Sequence, residues 1–317
     1  MSVNPDIAAY LQLVNAGRVS GKSQAMHLLS PEQARLEFDQ SSLLMGMGGQ
    51  GLGQVSAVHI PTRDDQRLDA RLYRPSDCAA GLPVLLYFHG GGYVVGSLDS
   101  HDAICQELAE NSTCLVLSVA YRLAPQWRFP TAYEDAEDAW RWLCSEAAAL
   151  GGDPQRLAVA GDSVGGSLAT LVAQSAAAHQ QPLLQVLIYP VTDASQVRAS
   201  IDRYAQGYLL EKDTLAWFYQ QYARTPADLR DPRFSPLLAA LDGGQAPVLM
   251  VLAECDPLVD EGQAFAAALG EAGVAVDLQL YAGMTHDFLR MDALVDEAEE
   301  ALQYIAQALR KAFGGRP

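Results

Sequence analysis

A serine between glycines lies at the centre of the sequence Gly-Asp-Ser-Val-Gly over residues 161–165. The apolar run 157–160 before it predicts a buried strand, and the alanine- and leucine-rich stretch 167–178 after it predicts a helix. A G-x-S-x-G turn between a strand and a helix is a nucleophile elbow, in which residues without a Cβ let the serine hydroxyl stand clear. We therefore take Ser163 as the candidate nucleophile of acyl transfer; the alternative is an ordinary glycine-rich turn.

A second glycine-rich segment, His-Gly-Gly-Gly at 89–92, directly follows another apolar run. Three glycines let backbone N–H groups point into open space, which the oxyanion of a tetrahedral intermediate requires. We expect one donor from Val164, after the nucleophile, and others from Gly91 and Gly92; the alternative is merely a tight turn. His89 lies within this loop, so we expect it to brace the loop rather than to abstract the serine proton.

A serine hydroxyl needs a base, and the base needs an orienting acid. In folds that carry this elbow the chain order is serine, acid, histidine. Of six histidines, only His286 follows Ser163 in a suitable place, just past the alternating strand predicted at 274–281. Catalytic groups of open α/β sheets gather at the carboxyl ends of strands, so His286 is the candidate base.

The candidate acid is Asp256, which follows the buried-strand run 247–253. Asp287 is too close in sequence to His286 to orient its ring easily. Three other acids remain as alternatives: Asp193, Glu254 and Asp260.

Eight strand-like runs indicate the elements that position these groups. They lie at about 55–60, 68–74, 83–88, 114–120, 157–161, 184–189, 247–253 and 274–281. Helix-like stretches near 102–111, 132–150, 164–178, 260–272 and 293–313 alternate with the strands, as the crossovers of a largely parallel sheet require. The first two strands are joined by a short polar segment and should form an antiparallel hairpin at one edge.

Two stretches do not fit this alternation, residues 1–45 and about 191–230. The second is dense in large apolar side chains, which are suited to covering an acyl pocket but could equally pack a lid onto the core. We expect a lid from these pieces. Three residues are the candidate substrate contacts: Tyr93, Tyr208 and Leu209.

Five ordered motifs resemble those of the hormone-sensitive-lipase-like branch of the α/β-hydrolase esterases, the bacterial family IV carboxylesterases. They are His89-Gly-Gly-Gly-Tyr93, Tyr121-Arg-Leu-Ala-Pro125 with Phe129-Pro130, Gly161-Asp-Ser-Val-Gly-Gly166, Asp256-Pro-Leu258 and Thr285-His286. The resemblance extends from about residue 55 to the C-terminus.

The resemblance implies an α/β-hydrolase fold with an eight-stranded, mostly parallel sheet flanked by helices and a helical cap. The implied division is 1–50 for the N-terminal cap helices and linker, 51–190 and 231–317 for the core, and 191–230 for a cap insertion. Ser163, Asp256 and His286 would form the triad. Gly91, Gly92 and the Val164 amide would form the oxyanion hole. A homodimer also fits the resemblance.

Some positions depart from the family pattern. Val164 replaces the commoner alanine, Gln126-Trp127-Arg128 stands where a Glu-His-Pro-like segment is more typical, and Asp287 replaces the glycine often found after the histidine. None of these changes removes a catalytic group. Our hypothesis for Asp287 is that it alters the pH dependence or the substrate charge preference; an unchanged pH–rate profile in Asp287→Gly would contradict it.

The net charge and hydropathy of the chain bear on which molecules it can bind. A net charge of −17 argues against nucleic acid and anionic membranes, and no apolar run reaches the roughly 18 residues of a membrane span. Without a signal-like N-terminus, and with five cysteines that lack metal-ligand spacing, the chain is expected to be cytoplasmic, with reduced thiols, no metal and no cofactor.

The function predicted from the sequence is serine carboxylesterase activity on short- to medium-chain carboxylic esters. Two alternatives use the same fold: an amidase or deacetylase of small acylated molecules, and a non-catalytic small-molecule receptor. Matched ester and amide substrates would separate the first, and the intact Ser163, Asp256 and His286 argue against the second.

Overall fold

The computed structural model describes residues 3–46, 53–76, 80–176 and 180–314. The predicted linker after the first cap helices falls largely on 47–52, outside the described residues, as does Cys78. The strands are β1 Val55–Pro61, β2 Arg67–Tyr73, β3 Leu82–Phe88, β4 Leu115–Ala120, β5 Gly152–Asp162, β6 Gln185–Ile188, β7 Val248–Cys255 and β8 Val276–Thr285. The helices are α1 Pro5–Val19, α2 Pro31–Met45, α3 Asp102–Ser112, α4 Thr131–Glu146, α5 Val164–Ser175, α6 Ala199–Arg203, α7 Lys212–Tyr222, α8 Val259–Glu271 and α9 Asp296–Ala312.

All eight strands join one sheet in the order β1-β2-β4-β3-β5-β6-β7-β8. β1 and β2 form the antiparallel hairpin expected at the edge, and β2 pairs antiparallel with β4. Every pairing from β4 to β8 is parallel. The predicted eight-stranded, mostly parallel α/β sheet is therefore confirmed.

Helices cover both faces of the sheet because the central strands are apolar on both sides. In β3, Leu86 and Phe88 face one core, whereas Leu85 and Tyr87 face the other. The first core receives residues of α4, α5 and α8, and the second receives residues of α3 and α9. Burying one large apolar side chain contributes about 1.5–3 kcal/mol, so the two cores fix the positions of the strand ends.

Two strands extend four or more residues beyond one of their predicted ends. β5 begins at Gly152 rather than 157, and β8 runs to Thr285 rather than 281. The extension of β8 includes Gly283 at a φ of 71°, and the register between β7 and β8 shifts before Cys255 pairs with Thr285. The apolar alternation is lost at this irregularity although pairing continues. His286 consequently follows a strand directly.

The two segments that break the alternation lie together beside the carboxyl ends of the strands. α1 and α2 precede the sheet, and α6 and α7 lie between β6 and β7. Arg18 of α1 forms a 2.7 Å ion pair with Glu211, and His27 Nδ1 lies 3.2 Å from the Thr214 hydroxyl. These contacts join the N-terminal helices to the insertion. Within the described residues, every helix is too short or too polar to span a lipid bilayer.

Candidate active site

Ser163 lies in the turn between β5 and α5, with φ 55° and ψ −123°. This is a sparsely populated conformation for a residue with a Cβ, and such strain is characteristic of the serine in a nucleophile elbow. The flanking glycines are required by close packing. A Cβ on Gly161 would lie 2.3 Å from the backbone of Gly165, and one on Gly165 would lie 2.0 Å from the carbonyl oxygen of Phe88.

The structure brings the three predicted triad residues into one hydrogen-bonded chain. His286 Nε2 lies 3.0 Å from Ser163 Oγ, and His286 Nδ1 lies 2.6 Å from Asp256 Oδ2. The second oxygen of Asp256 accepts the Leu258 amide at 2.8 Å, which fixes the carboxylate. All three side chains are buried.

The three rival acids have other partners. Glu254 accepts the Gly283 amide at 2.8 Å, Asp260 accepts the Ser200 amide at 2.8 Å, and Asp193 pairs with Arg198 at 2.8 Å. Asp256 is thus the acid that contacts the His286 ring nitrogen opposite the serine.

The surroundings of His286 favour its protonated form. Burial by itself would lower the pKa of His286, but the charge of Asp256 and its hydrogen bond outweigh burial, and the pKa is raised. Asp287 acts in the same direction. The His286 imidazole is therefore a stronger base than a histidine side chain that is free in water.

The glycine-rich loop at 89–92 and Ser163 face the same cavity. Gly91 and Gly92 have φ of 113° and 60°, a region that favours glycine. A Cβ on Gly92 would lie 2.2 Å from the ring of Phe218 in α7. Val164 is the first residue of α5, so its N–H has no partner within the helix. Gly91, Gly92 and Val164 line one cavity with Ser163 and His286.

Asp162 connects the elbow to this loop, a role that the sequence reasoning missed. Its Oδ1 accepts hydrogen bonds from the Gly90 amide at 3.0 Å and the Tyr87 hydroxyl at 2.7 Å, and its Oδ2 lies 3.2 Å from His101 Nε2. Burial would raise the pKa of Asp162, but His101 and the hydrogen bond from Tyr87 outweigh it, and the pKa falls to about 2. A fixed charge thus holds the two glycine-rich segments together.

His89 contacts the loop rather than the serine. Its Nδ1 lies 2.7 Å from the Gly90 carbonyl oxygen, and its ring stacks on Tyr121 with centroids 4.4 Å apart. Burial lowers the pKa of His89 to about 4, and nearby His101 acts in the same direction. These contacts agree with the bracing role expected from the sequence.

A cavity of about 400 Å³ opens above Ser163. That volume is within the usual range for small-molecule sites. Its apolar wall comes from the N-terminal helices and the insertion, and includes Leu13, Val14, Phe38, Met45, Leu209, Leu210, Leu215 and Phe218. Charged side chains also reach it: Arg18, Glu37, Asp287 and Arg290.

Of the three candidate substrate contacts, the structure places only Leu209 in this wall. Tyr93 lies behind the glycine loop, 1% exposed, with its ring stacked on Tyr222 at 3.9 Å. Tyr208 packs on Tyr204, with centroids 4.9 Å apart. Neither tyrosine is among the residues that line the cavity, and both rings pack on other aromatic rings.

Asp287, the departure from the family's glycine, lies at the cavity wall beside the base. Its φ of 67° is the left-handed conformation that glycine adopts most easily, which accounts for the usual residue there. Its Oδ1 lies 3.9 Å from His286 Nε2, and its Oδ2 forms a 3.0 Å ion pair with Arg290. Sequence reasoning did not single out Arg290.

The described part of the chain contains neither a candidate metal site nor a disulfide bond. Its histidine, cysteine and acidic side chains form no group of three or more that could hold a metal ion. Cys105, Cys114, Cys144 and Cys255 are free thiols there.

An elbow serine, a histidine and an aspartate beside a glycine loop, at the carboxyl ends of a mostly parallel sheet, define a hydrolase that acts through a serine nucleophile. The sequence model of the alpha/beta hydrolase fold family matches residues 85–290, and the chain belongs to that family.

Relatives identify the branch of the family. Ethyl acetate hydrolase of Pseudomonas putida is 56% identical over 98% of this chain and 99% of its own. Carboxylic ester hydrolase LipN of Mycobacterium tuberculosis is 42% identical over 77% of this chain and 66% of its own. The predicted resemblance is confirmed: the chain is a hormone-sensitive-lipase-like carboxylesterase.

A solved structure matches over nearly the whole length. The ester-hydrolase EH1AB1 from the metagenome of Lake Arreo, complexed with a derivative of bipyridine phosphonate, is 35% identical. It superposes with a TM-score of 0.94, covering 98% of this chain and 99% of that one. The likeness includes the N-terminal helices as well as the sheet.

Proposed function

We propose that the protein hydrolyses short- to medium-chain carboxylic esters through an acyl-enzyme on Ser163, with His286 as base and Asp256 as its orienting acid. The observation that carries this proposal is the unbroken chain from Ser163 Oγ through His286 to Asp256, at 3.0 and 2.6 Å. It opens on a cavity whose wall includes the Gly91, Gly92 and Val164 backbone.

Acylation begins when Ser163 Oγ attacks the ester carbonyl and its proton passes to His286 Nε2. Asp256 holds the Nδ1–H tautomer and stabilises the imidazolium. The amides of Gly91, Gly92 and Val164 would bind the oxyanion, with each such donor contributing about 10²–10³ in kcat. His286 then protonates the leaving alcohol, and the acyl group remains on Ser163.

Deacylation repeats these steps with water as the nucleophile. His286 Nε2 takes a proton from water as its oxygen attacks the acyl carbonyl. The tetrahedral intermediate collapses, the proton moves to Ser163 Oγ, and the carboxylic acid leaves. Both steps thus use the three triad side chains, the backbone amides of the oxyanion hole and one water molecule.

The residues of 1–50 and 191–230 would act as the cap that sets acyl length. The described residues of these two ranges supply most of the apolar cavity wall, and the cavity volume of about 400 Å³ suits a small ester rather than a long chain. The 56% identical relative is named as an ethyl acetate hydrolase, which favours the same small substrate class here.

A series of p-nitrophenyl esters tests this function. We expect kcat/KM to be highest for acetate or butyrate and to fall by at least tenfold for palmitate, because much of a C16 chain would lie outside the cavity of about 400 Å³. The matched p-nitroanilides should react far more slowly. An optimum at palmitate, or faster cleavage of the anilides, would contradict the esterase proposal.

We also propose that two copies of the chain associate. In the described part of the chain β8 is the last strand of the sheet and pairs with β7 alone, and its Leu278 and Leu280 are 41% and 46% exposed. An edge strand with exposed apolar side chains is a template for pairing with another strand. Sedimentation velocity should give twice the 34.1 kDa chain mass; a monomer at all micromolar concentrations would exclude the dimer.

We propose a cytoplasmic location on the basis of the cysteines. Four free thiols in the described residues suit a reducing compartment, where disulfides rarely persist. Fractionation of the native host tests it, and recovery of the activity outside the cytoplasm would contradict it.

A further inference from the structure

Asp287 occupies a position that the triad chemistry does not use. Its side chain is 22% exposed and lines the cavity together with Ser163 and His286. Its Oδ1 lies 3.9 Å from His286 Nε2, the atom that accepts the serine proton. A negatively charged oxygen thus stands on the substrate side of the base, whereas Asp256 lies on the opposite side.

The carboxylate is held in a single orientation. Its other oxygen pairs with Arg290 at 3.0 Å, and Arg290 is 5% exposed with its guanidinium carbon 4.2 Å from the centre of the Phe38 ring. The backbone of Asp287 has a φ of 67°, in the left-handed region that aspartate and asparagine adopt more readily than most residues with a Cβ. The ion pair with a buried arginine therefore anchors the Asp287 carboxylate beside His286.

The separation of 3.9 Å is too long for a direct hydrogen bond but suits one shared water. A water about 2.8 Å from both Asp287 Oδ1 and His286 Nε2 would subtend an angle of roughly 90° between them, close to the angle between its two O–H bonds. Its O–H groups would then point at the two acceptors, and an oxygen lone pair would be free to attack.

We propose that Asp287 is a positioning residue for deacylation: its carboxylate orients the hydrolytic water between His286 and the acyl group on Ser163. This rests on the proposed acyl-enzyme function. The water oxygen bonds to the acyl carbon and gives one proton to His286 Nε2, while the second proton stays on that oxygen and hydrogen-bonds to Asp287. The bond between the acyl carbon and Ser163 Oγ then breaks, and Ser163 Oγ takes the proton from His286. Water is the nucleophile of this step, and the Asp287 carboxylate neither gains nor loses a proton.

Acylation depends less on the Asp287 carboxylate than deacylation does. The attacking oxygen in that step is Ser163 Oγ, which the elbow already fixes 3.0 Å from His286 Nε2. Water has no covalent tether, so its orientation depends on hydrogen bonds alone. The selective effect on deacylation separates this role from a field effect, because a charge that only stabilised the imidazolium would assist both steps.

Stopped-flow kinetics with p-nitrophenyl acetate separates the two steps, since the burst reports acylation and the steady state reports deacylation. We expect Asp287→Gly to slow deacylation by about ten- to a hundredfold, the range for one hydrogen bond to a charged group. Acylation should change less than about threefold. The burst should therefore persist and become more pronounced than in the wild type.

Two further variants complete the test. Asp287→Asn keeps an acceptor oxygen and tolerates the left-handed backbone, so it should deacylate faster than Asp287→Gly. Asp65→Gly is the matched control, because Asp65 is an exposed aspartate in the β1–β2 turn with a φ of 59°; both its rates should equal those of the wild type.

Three results would overturn the role of Asp287: equal slowing of both steps, unchanged deacylation in Asp287→Gly, or an asparagine variant no faster than the glycine variant. Failure of the esterase function itself has a different signature. The wild type would then show neither a burst nor turnover with any ester, whereas the role of Asp287 fails with the wild-type burst intact.

Discussion

Ser163→Ala lowers kcat for p-nitrophenyl butyrate by about 10⁵–10⁶, down to the slow background that an oxyanion site alone can provide. The reason is the loss of the Ser163 hydroxyl, which lies 3.0 Å from His286 Nε2 and is the proposed nucleophile. KM should change little, because the apolar cavity wall that binds the acyl chain remains. Initial rates at saturating ester measure the effect.

The variant protein must be shown to be folded. Alanine at a φ of 55° carries the same backbone strain as serine, so the thermal midpoint and the circular dichroism spectrum should match the wild type. Ser167→Ala is a matched control, because Ser167 lies one helical turn after Ser163. Its hydroxyl donates a hydrogen bond to the Val191 carbonyl oxygen rather than to His286. Turnover retained in Ser163→Ala would place the nucleophile elsewhere.

Asp256→Asn is expected to lower kcat by about 10⁴, because an amide at this position favours the wrong tautomer of His286 and leaves the imidazolium unstabilised. The variant also shifts the pH profile. Asp256 raises the pKa of His286, and the base must be neutral to act, so activity falls as the pH drops through that raised pKa. Removing the charge lowers the pKa and moves the acid limb of kcat/KM to lower pH.

Glu254→Gln is the control for Asp256→Asn. Glu254 lies two residues earlier in β7 and bonds the Gly283 amide at 2.8 Å, a contact that glutamine can keep. It should retain the rate and the pH limb of the wild type. A loss in Glu254→Gln as large as that in Asp256→Asn would show that the acid has been misassigned.

The sequence predicts the site where the chemistry depends on local backbone. Gly161 and Gly165 flank Ser163 because their neighbours leave no room for a Cβ, so the elbow is visible as a pattern of residue types. The eight strands are visible because both faces of the central ones are buried. Asp256 and His286 follow two of these strands, and parallel pairing brings their ends together.

The remaining parts of the site depend on contacts between distant segments. Asp162 bonds Gly90 across 72 positions, and Arg290 reaches Phe38 from the opposite end of the chain. No periodicity or spacing encodes such pairs. For the same reason the sequence could not distinguish Tyr93, which packs behind the loop, from Leu209, which reaches the cavity.

Covalent trapping identifies the nucleophile most directly. A p-nitrophenyl alkylphosphonate, whose tetrahedral phosphorus imitates the intermediate of acyl transfer, should add one phosphonyl group per chain and stop ester hydrolysis in parallel. Peptide mass spectrometry should place the adduct on Ser163, and Ser163→Ala should gain no mass. A label on another residue, or full hydrolytic activity in stoichiometrically labelled protein, would contradict the assignment of Ser163 as the nucleophile.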